Sequence, residues 1–263
     1  MKHTPRKRFG QHFLTAPETI ERIVAAVDPR EGEIIVEIGP GQAAITEPLA
    51  VLASTLHMIE FDRDLARALG ARFATRDNVI VHEADVLSFD FSTIGDRLRL
   101  VGNLPYNIST PLLFHLLGFR DSIVDMHFML QKEVVDRICA QPGGKDFGRL
   151  TIMLGCHLEA VQLFDVPPES FTPPPRVMSS MVRMRPLPEN GFEIRDAAML
   201  EALVKLAFSR RRKTLRNALK GLAELSDLEA AGIDPSLRPE QVAIADWIGL
   251  ANRLSLNVRA GLG

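Results

Sequence analysis

From residue 33 onward the chain repeats one theme: a short apolar run rich in β-branched residues, then a segment of helical periodicity. Such runs are too uniformly apolar for half-solvated strands, and they suit a parallel sheet covered by helices on both faces. Strands are expected at 34–38, 56–61, 79–82, 98–101 and 124–130, with helices around 43–52, 63–74, 111–118 and 132–140. Thr110-Pro111 reads as a helix start, Thr110 capping and Pro111 in the first helical position, where its missing N–H costs nothing. After Gly148 a helical stretch ends near His157, and two strand-like runs, 160–166 and 177–184, are expected to form an antiparallel hairpin closing the sheet. Pro186, Pro188 and Glu189-Asn190-Gly191 look like a linker, beyond which 195–255 is helical and rich in Leu and Ala. The expected architecture is doubly wound, Rossmann-like α/β over residues 1–187, followed by a small helical domain at 188–263.

Composition removes several classes. With 46% hydrophobic and 24% charged residues the chain matches a soluble globular protein, and no apolar run is long enough to span a bilayer. The basic N-terminus is not followed by an apolar stretch, which argues against a secretory signal and for a cytoplasmic location. Cys139 and Cys156 stand alone, with no second Cys or His at ligand spacing, so neither a disulfide nor a metal site is expected. A net charge of −2 speaks against a polyanionic partner, but its distribution does not. Lys2, Arg6, Lys7 and Arg8 form one acid-free stretch, and Arg210, Arg211, Arg212, Lys213, Arg216 and Lys220 form another. Each fits a phosphate backbone, and each equally fits a solvated face.

The run Ile34 to Ile38 ends in Gly39-Pro40-Gly41, where missing side chains let a ligand lie against the backbone. It is not a dinucleotide fingerprint, because Ala44 stands where the third glycine belongs. Glu60 ends the next strand, where a carboxylate can accept from both ribose hydroxyls, and Asp85 follows the third. For either acid alone, capping the following helix is an equal reading. Acids at this edge and the lack of a triphosphate loop favour a nucleoside without phosphate, of which S-adenosylmethionine is one. Its adenine would reach Asp85, its ribose Glu60, and its amino-acid part the turn at Gly39 to Gly41.

The fourth strand leads into Asn103-Leu104-Pro105-Tyr106, which holds the only tyrosine. Methyl transfer from a sulfonium to an aromatic amine needs the nitrogen lone pair turned out of the ring. The Asn103 side-chain oxygen and the Leu104 carbonyl could accept the two amino hydrogens and favour that geometry. Tyr106 would stack on one face of an extruded base and Phe171 on the other. The plainer alternatives are a loop aromatic packed on the core and a plug ahead of a proline turn.

The residues resemble the KsgA-type family of ribosomal RNA small-subunit adenine dimethyltransferases over nearly the whole chain. The matching segments are Phe9-Gly10-Gln11-His12-Phe13-Leu14, Glu37 to Gly41, Asn103 to Tyr106, Gln131-Lys132-Glu133-Val134, the Phe171 segment and Phe208 to Asn217. The resemblance implies a class I methyltransferase sheet and cofactor contacts from His12, Leu14, Gly39, Gly41, Glu60, Asp85 and Asn103. It also implies two adjacent adenines near the 3′ end of small-subunit RNA, each methylated twice, within a partly assembled subunit. The basic 208–220 segment is then a docking surface, no metal or membrane is involved, and a monomer is expected. Met178 departs from the family, which more often carries Asp there, and puts a local polar contact in doubt. Two readings compete: a macrolide-resistance methyltransferase acting on large-subunit RNA, and a catalytically idle RNA-binding or transcription factor on the same fold.

Overall fold

The computed structural model describes residues 12–188 and 191–260. Lys2, Arg6, Lys7, Arg8, the Phe9-Gly10-Gln11 part of the N-terminal motif, and Glu189-Asn190 lie outside them. In chain order the elements are β1 (Phe13–Leu14), α1 (Pro17–Val27), β2 (Ile34–Ile38), α2 (Thr46–Leu52), β3 (Thr55–Glu60), α3 (Arg63–Arg72), β4 (Val79–Glu83), β5 (Leu98–Asn103), α4 (Ser109–Leu117) and β6 (Ile123–Gln131). There follow α5 (Lys132–Ile138), α6 (Arg149–Gly155), β7 (Leu158–Val166), β8 (Phe171–Thr172), β9 (Ser179–Pro186), α7 (Ala197–Ser209), α8 (Leu215–Ala218), α9 (Leu225–Ala230) and α10 (Ile244–Ala260).

Seven strands form one sheet in the order β4-β3-β2-β5-β6-β9-β7. The first five are parallel, and β9 runs antiparallel to β6. The chain winds outward from β2 in one direction through β3 and β4, and in the other through β5 and β6. The carboxyl ends of β2 and β5 therefore meet at the point where strand order reverses, the place where such sheets leave a crevice. The interior strands bury both faces, as their composition demands: Ile35, Val36, Leu56, Met58, Leu100 and Val101 are all at most 1% exposed.

Three expectations shift. The helix expected from 43 begins at Thr46, because Ala43 adopts a left-handed φ of 69° inside the preceding turn. Helix α4 starts at Ser109, not Pro111, so Thr110 is no cap and Pro111 sits within the first turn, where N–H groups still lack intrahelical partners. The runs near 160–166 and 177–184 do lie side by side as β7 and β9, yet no tight hairpin joins them. Their connection leaves the sheet, and its β8 pairs antiparallel with β1, Phe13 opposite Thr172 and Leu14 opposite Phe171.

The chain divides into two compact units. One runs through Val135 and resumes at Ala160–Pro186; the other comprises Asp136–Glu159 and Leu187 onward. One break falls between Pro186 and Leu187, and 136–159 groups with the C-terminal helices. The reason is apolar: Phe147, Ile152 and Cys156 share a core with Leu200, Leu203, Leu215 and Trp247. Burial pushes the Cys156 thiol up to about 12, as befits an inert core thiol.

Within the first unit an arginine replaces an apolar residue at the amino end of β5. Arg99 is 8% exposed, and its guanidinium donates to both oxygens of Asp125 (2.9 and 2.8 Å), to Glu33 (2.7 Å) and to the Val27 and Asp28 carbonyls (2.7 and 3.1 Å). The planar fork suits this task, since it satisfies a buried carboxylate and the end of α1 at once.

Candidate active site

The crevice at the end of β2 is shaped by backbone that side chains would not tolerate. Gly39 and Gly41 have φ of 67° and 56°, and a Cβ on Gly41 would stand 3.1 Å from the Phe13 ring. The turn is thus open to left-handed backbone and pressed against the N-terminal strand at the same point. Behind it, Glu60 is 6% exposed; its Oε2 accepts from the Gly41 N–H (3.2 Å) and its Oε1 from the Asp62 N–H (2.8 Å). Asp62, not Glu60, caps α3, accepting from the N–H groups of Asp64 and Leu65. Backbone N–H groups of Gly41, Phe61 and Asp62 occupy most of the acceptor sites of the Glu60 carboxylate, which keeps room for a further donor.

Glu37 is the second acid here. It lies inside β2, 2% exposed, and accepts from the Thr46 hydroxyl at 2.6 Å. Burial pushes its carboxyl up to about 7, against the lowering pull of Thr46 and with help from the charge of Glu60. Burial also raises Glu60, against its backbone bonds.

Facing them is the loop after β5. Asn103 Nδ2 donates to the His12 carbonyl at 2.9 Å. A carbonyl only accepts, so the amide nitrogen must face it and Oδ1 must point away. Neither Oδ1 nor the Leu104 carbonyl accepts a hydrogen bond among the described residues, while the Leu104 N–H is tied to the Met129 carbonyl at 3.2 Å. The Tyr106 hydroxyl is 2.8 Å from the Ser179 hydroxyl, which anchors the ring, and burial pushes its pKa up, disfavouring the phenolate. The His12 ring stacks on Tyr106 with centroids 6.0 Å apart, and its Nδ1 donates to the Pro173 carbonyl at 2.7 Å.

These groups border a cleft lined by His12, Leu14, Gly39, Gly41, Glu60, Asn103, Leu104 and Tyr106 among others. Two expected members stand elsewhere. Asp85 is exposed beyond β4 and accepts from the Leu87 N–H at 3.0 Å. Phe171 is 3% exposed within the core, in the cluster that holds Leu14, Met129 and Met181, so its ring presents no open face for a base. The wall also contains Phe13, Glu37 and Ile45, which sequence reasoning did not assign. Glu37 left a signal: a lone acid in an otherwise apolar interior strand needs a reason to be there.

The strand neighbouring β2 carries a sharper constraint. A Cβ on Gly102 would stand 2.5 Å from the Ile38 carbonyl oxygen, and backbone cannot give way as a flexible side chain can. Gly102→Ala should cost roughly 1–3 kcal/mol of stability by overpacking. It should lower turnover further still, because it pries apart the segments that end in Gly39 and Asn103. Urea unfolding and turnover measured on one preparation would check this, and an unperturbed Gly102→Ala protein would contradict the close approach.

In the second unit, Phe208, Ser209, Arg210, Arg211, Arg212, Lys213 and Asn217 line an open concavity. Two of its arginines have structural duties. Arg210 donates to the Ala218 carbonyl, and Arg211 donates to the Lys145 carbonyl (2.7 Å) beside Glu240 (3.5 Å). Arg212, Lys213 and Arg216 are exposed and form no ion pair among the described residues. Among those residues no group of three or more His, Cys, Asp or Glu could hold a metal ion, and no helix is long and apolar enough to cross a membrane.

A doubly wound sheet whose switch point joins a glycine turn, a strand-end acid and an Asn-Leu-Pro-Tyr loop defines a class I methyltransferase. The family model of the ribosomal RNA adenine dimethylases matches residues 2–256. The chain is 52% identical to ribosomal RNA small subunit methyltransferase A of Chromobacterium violaceum, over 96% of this chain and 97% of that one. It is 51% identical to the protein of the same name from Pseudomonas aeruginosa, over 97% and 96%. Among solved structures, a dimethyladenosine transferase from Plasmodium falciparum superposes with a TM-score of 0.82 at 26% identity, covering 95% of this chain and 98% of that one. The 23S rRNA methyltransferase ErmE does so with 0.72, also at 26% identity, covering 92% and 99%. The chain belongs to the ribosomal RNA adenine dimethylase family and is a methyltransferase.

Proposed function

We propose that this enzyme transfers methyl groups from S-adenosylmethionine to the exocyclic amines of two adjacent adenines near the 3′ end of small-subunit ribosomal RNA, twice each, within a partly assembled subunit. The cavity fits such a donor. Glu60 keeps room for a ribose hydroxyl beyond its backbone bonds, and the Gly39–Gly41 backbone is bare enough for close approach. Asp85, just past the strand end, is the remaining candidate for the adenine. When bound, the donor supplies a methyl group on a positively charged sulfur.

The observation that carries the reading is the orientation of Asn103. With its amide nitrogen committed to the His12 carbonyl, Oδ1 offers a fixed acceptor beside the Leu104 carbonyl. Two acceptors for the two amino hydrogens favour a pyramidal nitrogen, whose lone pair is then available for in-line attack. Tyr106, anchored by Ser179 and flanked by His12, supplies one aromatic wall for the base. Small-subunit RNA is favoured over large-subunit RNA because the small-subunit relatives share about half of their residues with this chain, against 26% for ErmE. Arg212, Lys213 and Arg216 then offer exposed charge for the phosphate backbone.

The test is transfer of labelled methyl groups to undermethylated small subunits, naked small-subunit RNA and large subunits, followed by mapping of the modified bases. Dimethyladenosine confined to two neighbouring positions of the small subunit is expected; label in the large subunit alone would overturn the proposal. A second expectation concerns pH. The donor carries one more positive charge than its demethylated product, and a cation beside Glu37 and Glu60 favours their ionised forms. Because Glu37 sits at about 7 in the free protein, donor binding should release a proton below that pH. Donor affinity should then fall by up to about tenfold per pH unit on acidification from 7, and product affinity much less. Calorimetry of both ligands between pH 5.5 and 8 checks this; parallel curves for the two would refute the linkage.

A further inference from the structure

The amino-terminal edge of the parallel strands holds a second cavity, of about 340 Å³, far along the sheet from the strand ends described above. It is bounded by the loop after α1 and by β5, β6 and β9. Side-chain alternation places Asp125 and His127 of β6 on one face, and the antiparallel register sets Arg183 opposite His127, with Arg185 two residues further on the same face.

The charges here are unevenly matched. Every acid lining the cavity is already engaged: Asp28 by Arg30 at 3.1 Å, and Glu33 and Asp125 by Arg99. The side chains of Arg183 and Arg185 have no ion pair or hydrogen bond among the described residues, although both line the cavity. His127 is 1% exposed, yet neither ring nitrogen has a hydrogen-bond partner. Asp125 stands 3.7 Å from its Nδ1, beyond hydrogen-bond reach. Buried polar groups are rarely left unmet, and a ring facing a cavity beside two open guanidinium groups calls for an oxygen-rich anion.

We infer that this cavity binds a phosphoryl oxyanion, held by Arg183 and Arg185 with the His127 ring donating to it. The electrostatics agree. Burial, then the charges of Arg99, Arg183 and Arg185, hold the free ring at about 4 against the pull of Asp125. A bound anion would cancel the guanidinium repulsion and favour the doubly protonated ring, which donates from both nitrogens. The same chemistry could come from free phosphate, from a phosphomonoester or from the diester backbone of RNA.

Histidine-resolved NMR titrations of the full chain, with inorganic phosphate, methyl phosphate or dimethyl phosphate at matched ionic strength, separate these sources; the His127 resonance is assigned by its loss in His127→Gln. At least one of the three should raise the His127 midpoint by roughly 1–3 pH units, saturably. A response to dimethyl phosphate marks the RNA backbone as the source, and a response to the others alone marks a free metabolite. The double variant Arg183→Gln/Arg185→Gln should lose the response while its urea midpoint stays near the wild-type value. A midpoint unmoved by all three at tens of millimolar, or an undiminished response in the double variant, would overturn the inference.

Discussion

Asn103→Ala is expected to lower the rate of methyl transfer by about 10²–10³, the usual consequence of losing one preorganised polar contact in a reaction site. The change removes the acceptor at Oδ1 and also the donor that holds the His12 carbonyl at 2.9 Å. It leaves the strand pairing of β5 intact, so thermal unfolding should move little. Asn103→Asp separates the two effects. Its carboxylate retains acceptors but cannot donate to the His12 carbonyl, so orientation is lost while acceptor chemistry remains. If orientation matters as argued, single-turnover transfer in Asn103→Asp stays well below wild type; full activity in either variant would remove Asn103 from the mechanism.

The largest expected loss of stability comes from Arg99→Ala, about 3–5 kcal/mol, the cost of leaving a buried charge without its partner. Asp125 is 2% exposed and depends on Arg99 for two of its hydrogen bonds. The Val27 and Asp28 carbonyls at the end of α1 lose donors as well. Since domains are stable by only about 5–15 kcal/mol, this one residue decides whether the unit stays folded under mild denaturant. The double change Arg99→Met/Asp125→Leu should recover most of the loss, because it removes both charges together. Urea midpoints of the three proteins give the answer, and an Arg99→Ala midpoint equal to wild type would show that the network is ornamental.

The sheet was legible because its signal is local. Ile34 to Ile38 announces a doubly buried strand through its own composition, and Gly39 and Gly41 mark its end without reference to any other part of the chain. Glu60 was placed correctly at a strand end, next to the turn, for the same reason. What periodicity cannot carry is a contact between distant segments. The pairing of Leu14 with Phe171 joins residues far apart in sequence through strands of two residues each, too short to show alternation. From that pairing follow the position of His12 and the burial of Phe171, neither of which composition foretells. The share of 136–159 in the second unit is hidden likewise: its apolar residues need a core, but nothing in them says which one. Arg99 stands in an otherwise apolar strand, and its five acceptors, drawn from three separate segments, explain it.

The N-terminal strand has a kinetic meaning. Phe13 and Leu14 close one side of the cavity through two residue pairs with β8, and the Thr15 N–H, bonded to the Ser170 carbonyl at 2.8 Å, supplies a hinge behind them. Displacing this segment would expose two apolar side chains, at roughly 1.5–3 kcal/mol each, and break the His12 bonds to Asn103 and Pro173, yet leave all seven strands of the large sheet paired. On the proposed function, this thin wall of two residue pairs is the side through which a donor would enter and its product leave while the large sheet stands still.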